Sequence, residues 1–370
     1  MRLAVFGLTV SSSWGNGHAT LWRALTRALA ERGHHVTFFE RNVPYYAAHR
    51  DLVHLPWGVL VLYDDWDVRR VQRSLAAADA AILTSYCPAA AAAMGQADVL
   101  RVFYDLDTPV TLARLDAGER VDYLPPGGLG QFDLVLSYAG GPALGELTRR
   151  LGARATAPLP GFVDEDVYRP HRARHALRCD LSHLGTYAAD RVARLRELFL
   201  RPGERRPGLR LLLVGALYPP EVTGRPGLRT LPHLPSAEHP GLYASSQWTI
   251  NVTRAPMAAM GHCPSGRLFE AAACETPIIT DAWPGLEEFL TPEEEIVAAA
   301  TCDDVLAALD MSPSRQRRLA AAARARVLRA HTARHRAATL ERLLTATRTG
   351  QAPARRESTG TSPPGDAATS

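Results

Sequence analysis

The chain has 370 residues, 46% of them hydrophobic and 22% charged, with a formal net charge of +4. That length exceeds a single core of ~250–300 residues and predicts two folded domains of ordinary globular composition. So small a charge argues against a nucleic-acid partner, and no apolar run approaches the ~20 residues that span a membrane.

In chain order, Leu3–Leu8 reads as a buried strand and Ala19–Arg32 as an amphipathic helix stopped by Gly33. Strands follow at Val36–Phe39, Gly58–Tyr63, Ala80–Thr84, Val99–Tyr104 and Leu134–Ser137, with helices at Val68–Ala77, Pro88–Met94, Pro109–Ala117 and Pro142–Leu151. Alternation of this kind predicts βαβ units and a parallel sheet. The run Pro158-Leu159-Pro160-Gly161 and the polar stretch after it suit a linker. The pattern then restarts, with strands at Leu181–Gly185, Leu209–Val214, Trp248–Val252, Pro277–Thr280 and Glu295–Ala298. Its helices are Ala188–Leu200, Ala237–Ala244, Gly266–Ala273, Cys302–Leu309 and one long arginine- and alanine-rich helix, Pro313–Ala346. The expected division is 1–158, a linker over 159–171, a second domain over 172–346 and a disordered tail over 347–370.

Every residue in the Lys+Arg count of 42 is arginine, so any phosphate held by a side chain is held by a planar guanidinium. Cys87, Cys179, Cys263, Cys274 and Cys302 show neither C-x-x-C nor zinc spacing, which predicts free thiols, no metal site and a cytoplasmic location. The N-terminus runs straight into a glycine-rich loop, as a core strand does and a signal peptide does not.

Three segments carry chemistry. The loop Ser11–His18 offers Gly15 and Gly17 for close backbone approach, with Trp14 and Asn16 beside them, and opens a helix at His18. It lacks the third glycine of a dinucleotide fingerprint, although Glu40 stands where such a site needs an acidic residue. His18 is either an acid/base group or a helix cap. In Tyr104-Asp105-Leu106-Asp107-Thr108-Pro109, the local grammar favours a helix cap at Asp107 or Thr108, with Asp105 contacting a sugar hydroxyl or the acceptor. The third segment, Asn251–Arg254 followed by Cys263–Pro277, reads as strand, loop, helix, turn and strand. Ser265 and Gly266 place backbone N–H groups at a helix start, where a diphosphate fits. Arg267 in a first turn opposes the helix dipole unless an anion lies nearby. Glu270 either pairs with Arg267 or accepts from the hydroxyls of a ribose.

The stretch Gly266–Glu288, GRLFEAAACETPIITDAWPGLEE, resembles the donor-binding helix–turn–strand of family 4 GT-B glycosyltransferases. Together with Ser11–His18, Val43-Pro44-Tyr45-Tyr46, His49-Arg50-Asp51 and Tyr104–Pro109 it resembles the CgeB-like, spore-maturation members, over nearly the whole chain to about Leu344. The resemblance implies two Rossmann-like domains whose parallel sheets face across a cleft, with a long C-terminal helix crossing back to the first domain. It implies sugar transfer from a nucleoside diphosphate sugar to an acceptor, with retention at the anomeric carbon. No cofactor beyond that co-substrate is expected.

By that resemblance Glu270 is the second glutamate of an E-x7-E pattern and binds the donor's ribose, while His262 replaces the first. Leu184-Gly185-Thr186-Tyr187 resembles the diphosphate-holding strand end, with Arg191 as its basic residue and Arg254 and Arg267 as further candidates. Gly285 falls in the glycine loop that follows, His233-Leu234-Pro235 in the base-binding loop and Val163-Asp164-Glu165-Asp166 at the hinge. His18 and Asp105 are the expected catalytic residues; Trp14, Gly15, Asn16, Gly17 and Asp107 line the acceptor side. A sugar-nucleotide epimerase of the same architecture and a non-catalytic nucleotide- or glycan-binding module are the alternatives.

Overall fold

A computed structural model describes residues 1–15, 17–64, 68–87 and 98–351. Two parallel sheets organise them. The first has seven strands in the order β3-β2-β1-β4-β5-β6-β7: β1 Arg2–Phe6, β2 His35–Arg41, β3 Val59–Tyr63, β4 Ala80–Thr84, β5 Leu100–Asp105, β6 Leu134–Ser137 and β7 Thr156–Pro158. The second has six in the order β10-β9-β8-β11-β12-β13: β8 Cys179–Leu184, β9 Leu211–Val214, β10 Leu228–Leu231, β11 Ser246–Asn251, β12 Ile278–Asp281 and β13 Val297–Ala299. Both orders turn back beside the first strand of the sheet, which opens a crevice at the strands' C-terminal ends.

Apolar runs such as Leu3–Phe6 form strands because both faces of each sheet are covered. Successive side chains feed opposite cores: Leu3, Val5, Ile82 and Tyr104 pack on one face, and Ala4, Phe6, Leu83 and Phe103 on the other. The second sheet divides in the same way, with Leu212 and Val214 against Leu211 and Leu213. This is the GT-B architecture that the resemblance implies.

The predicted helix over Pro313–Ala346 is two helices, Pro313–Ala330 and Ala333–Arg348. The break is tertiary in origin. Val163 donates from its N–H to the His331 carbonyl (3.0 Å) and accepts from Ala333 N–H (2.8 Å), pulling the chain out of helical register. Thr332 then restarts the helix, its side chain accepting from His335 N–H. Arg336, beyond the break, donates to the carbonyls of Pro160 and Gly161. The Ala333–Arg348 helix crosses back and buries Ala337, Leu340, Leu343 and Leu344 in the first core, against the Leu25 and Leu29 side of the His18–Glu31 helix. Spacings of three and four residues place these side chains on one face.

Other departures are local. The helix predicted over Ala188–Leu200 opens with a tight turn, Ala189–Arg191, and passes through a wider π-type turn at Arg196–Leu200. The edge strand Leu228–Leu231, the short Thr156–Pro158 strand and the Ala255–Met260 helix are structural additions to the sequence reading. The predicted Pro88–Met94 helix, Asn16 and residues 352–370 of the predicted tail lie outside the described residues. Among those described, no helix is long and apolar enough to cross a membrane.

Candidate functional site

A cavity of about 480 Å³ occupies the cleft and is lined from both halves. On the second-half wall, β8 ends at Leu184 and the chain turns through Gly185 to the buried Arg191. A Cβ on Gly185 would sit 3.0 Å from Arg267 Nη2 and 3.2 Å from Arg191 Nη1, so glycine here lets two guanidinium groups converge on the backbone. Arg191 is 7% exposed, and its Nε and Nη1 reach no hydrogen-bond partner in the protein. Burial, and then Arg267, pulls its pKa down to about 10. A buried cation without a partner is unfavourable unless an anion completes it.

Arg267 donates from Nη1 to Asn251 Oδ1 at 2.9 Å, and Asn251 is itself held by Nδ2 to Thr280 Oγ1 at 3.1 Å. Arg254 is tied by two nitrogens to Asp190 Oδ2, at 2.7 and 2.9 Å, and lines the cavity beside them. Ser265 and Gly266 line it too, at the N-terminus of the Gly266–Ala273 helix. The Ser265 side chain makes no cap bond, so the opening N–H groups keep their capacity for an anion.

Glu270, one turn further along, does not pair with Arg267. It is buried, accepts from Tyr243 O–H at 3.3 Å and from Thr20 Oγ1 at 3.5 Å, and lies 4.0 Å from His239 Nδ1. Burial raises its pKa. Burial also drives His239 down to about 4, so this imidazole is neutral; it engages Leu234 O and Tyr168 O–H at 3.1 and 3.2 Å. His233 and Leu234 line the cavity alongside.

Gly285 takes no part in this wall. It adopts φ +81 with the His262 ring against it, and any Cβ there would run into that ring. His262 is outside the cavity lining. It is wedged between Gly141 and Gly285, with Nδ1 2.8 Å from Glu288 Oε1 and its carbonyl accepting from Gly140 N–H at 2.9 Å. It therefore joins the two halves behind the cleft.

On the first-half wall, the β1 loop is anchored by Glu40. This fully buried carboxylate accepts from Val10 N–H (2.7 Å), Ser11 N–H (2.9 Å) and the Ser11 hydroxyl. It is committed to the loop and is not placed for a dinucleotide's ribose. Gly15 and Gly17 reach the cavity, and the Gly15 carbonyl accepts from Thr186 Oγ1 across the cleft at 3.0 Å. Trp14 does not line the acceptor side. Its ring stacks on His49, with centroids 3.9 Å apart, and meets His233 of the second half at 4.4 Å.

The two aspartates part company. Asp105 is fully buried beneath the cleft, and its Oδ1 accepts from Ser85 Oγ, Asp107 N–H and Thr111 Oγ1 at 2.8, 3.0 and 3.2 Å. Burial pushes its carboxyl up to about 6. It shapes the loop from below and is not placed for the expected contact with a sugar or acceptor. Asp107 occupies the cap position of the Thr108–Asp116 helix, yet its side chain makes no cap bond. Its Oδ2 instead accepts from Tyr86 O–H at 2.8 Å and lies 3.8 Å from His18 Nε2, in the cavity wall. His18 thus partners Asp107 rather than Asp105. Tyr86, Thr20, Tyr243 and His239 complete the site without any motif to announce them.

Residues 194–342 match a family model described as "Glycosyl transferase-like", so the second half carries a glycosyltransferase-like domain. No curated protein matches the chain. Among solved structures, sucrose-phosphate synthase from Thermosynechococcus elongatus superposes with TM-score 0.72 at 16% identity, over 94% of this chain and 99% of that one. HepE of Anabaena in complex with UDP and glucose gives TM-score 0.65 at 13% identity, over 94% and 100%. An alpha-glucosyltransferase in complex with UDP-glucose and DNA containing an abasic site gives 0.69 at 11%, over 93% and 99%. At these identities the likeness is one of fold.

Proposed function

We propose that the protein transfers a sugar from a nucleoside diphosphate sugar to an acceptor hydroxyl. The observation that carries this reading is Arg191, a buried guanidinium in the cavity wall with two unpartnered nitrogens. A diphosphate would complete it, held between Arg191, Arg267 and the Ser265–Gly266 helix start, while Glu270 accepts from the ribose hydroxyls. As the bond from the anomeric carbon to the phosphate oxygen breaks, charge grows on the leaving diphosphate, where these preorganised donors stabilise it. The arginines supply this charge balance without a metal. UDP in two of the structural neighbours makes uridine the first nucleotide to test. Retention at the anomeric carbon is the outcome the resemblance to family 4 implies, and the anomeric coupling constant of the product reads it directly.

The deciding experiment is thermal unfolding with UDP-, GDP-, TDP- and ADP-sugars, each with and without EDTA. Ligand at ~100 times its dissociation constant adds ~2.7 kcal/mol. For domains of this size that is a Tm rise of roughly 5–10 °C. One nucleotide should give it regardless of EDTA, and Arg191→Ala and Glu270→Ala should abolish it. A donor that stabilises the variants as well as the wild type would overturn the assignment.

A further inference from the structure

Donor binding leaves part of the first-half wall without a role. Among the described residues, Tyr86 is the one large apolar or aromatic side chain over a third exposed (38%) that also lines the cavity. Its backbone is at φ +73, a genuine outlier for a bulky residue. Such a conformation persists where surrounding contacts over-determine it, and it concentrates at functional sites. The contacts include the hydrogen bond from Tyr86 O–H to Asp107 Oδ2 and the buried Tyr123 ring behind it, with centroids 4.9 Å apart at 57°, and the His18 ring stands 6.3 Å away at 31°. Tyr123 is itself held by Thr111 Oγ1 at 2.7 Å. The fold therefore holds an aromatic face in the cleft at some conformational expense.

Asp107 stands beside that aromatic face. Its Oδ2 is engaged by Tyr86 and neighbours His18, whereas among the described residues none donates a hydrogen bond to its Oδ1. A flat aromatic face beside an open carboxylate oxygen matches a saturated ring that carries hydroxyls. The ring's C–H face rests on the aromatic and an O–H donates to the carboxylate. The same carboxylate repels an anionic substituent brought alongside it.

We propose that the acceptor is an uncharged glycoside, its pyranose ring seated on Tyr86 and one hydroxyl donated to Asp107 Oδ1. Tyr86 is then the specificity-determining residue of the acceptor side. The assignment rests on the glycosyl-transfer reading above and names its acceptor class.

Saturation-transfer NMR tests it on the full chain mixed with UDP, GDP, TDP and ADP and with methyl hexopyranosides, glucose 6-phosphate and thymidine as acceptor probes. Transfer should reach the ring protons of at least one glycoside and not those of glucose 6-phosphate or thymidine. It should fall about fivefold or more in Tyr86→Ala and persist in Tyr86→Phe, which keeps the flat face. Should the alanine variant fail to fold, Tyr86→Leu decides, since it keeps bulk without the aromatic plane. Equal transfer to a glycoside in wild type and Tyr86→Leu, or stronger transfer to the phosphate or the nucleoside, overturns the proposal. Transfer to a nucleotide with none to any glycoside overturns it while sparing the donor reading. Transfer to neither removes both.

Discussion

Arg267 and Glu270 stand one turn apart on the same helix, yet Arg267 reaches sideways to Asn251 and Glu270 turns to Tyr243 and Thr20. The carboxylate is thereby kept from its nearest cation and left facing the cavity. Glu270→Gln should weaken nucleoside diphosphate binding by roughly 10-fold or more, the scale of hydrogen bonds to a charged acceptor. It should leave the Tm of the free protein unchanged or slightly raised, because burial already disfavours the ionised form. Calorimetric titration together with a melting curve checks both parts. A fall in Tm without loss of affinity would make Glu270 a structural residue.

Arg191 should show the opposite signs in free and bound protein. Burial pulls its pKa down to about 10 from the usual 12.5, so its charge costs the folded state stability at every pH below about 10. The penalty is about 3 kcal/mol. Arg191→Met should therefore raise the Tm of the free protein by several degrees and remove the Tm rise that nucleotide gives. Melting curves with and without nucleotide read both effects; a lower Tm in the free variant contradicts the prediction.

Asp105 gives a pH signature. Its carboxyl, about 6 when folded, holds a proton that the unfolded chain has released near 4. Its contribution to stability is thus full below about pH 4 and is lost as pH rises through 6. Between pH 4 and 7 the wild type should lose about 2–3 kcal/mol relative to Asp105→Asn, whose side chain does not titrate. Urea unfolding of both proteins across that range measures the difference, and parallel curves would show that Asp105 is ionised throughout.

His262 and Gly285 should be coupled. Gly285→Ala forces a Cβ onto the His262 ring at φ +81 and should cost about 1–3 kcal/mol. In His262→Ala the same substitution should cost less, since only the backbone strain is left. A double-mutant cycle in denaturant gives the coupling; strict additivity would mean the ring does not limit this turn.

The sheets were legible because strands covered on both faces run apolar nearly throughout: Ala80–Thr84 and Leu134–Ser137 are buried at every position and polar only at the last. The Leu228–Leu231 edge strand escapes that logic, since its exposed Arg229 interrupts the run. The break at His331 and Thr332 carries only a threonine cap as local signal, because Val163, distant in sequence, causes it. In the site, the helix start at Ser265 and Gly266 was readable from helix grammar, which is local, whereas that grammar left Glu270 open between Arg267 and a ribose. Asp105 and Asp107 were not separable, because D-x-D spacing says nothing about which carboxylate a loop turns inward. Tyr86 was invisible, its positive φ being imposed by Asp107 and Tyr123 rather than by its own neighbours.

The crossing of the Ala333–Arg348 helix bears on the order in which the chain is made. Leu25 and Leu29 share a core with Leu340 and Leu344, which follow the whole second half in the chain. The first sheet is thus translated early but closed late, and its apolar flank stays exposed while the whole second half is synthesised, a state prone to aggregation. Released chains truncated after Ala330 should be more protease-sensitive in the first half than in the second.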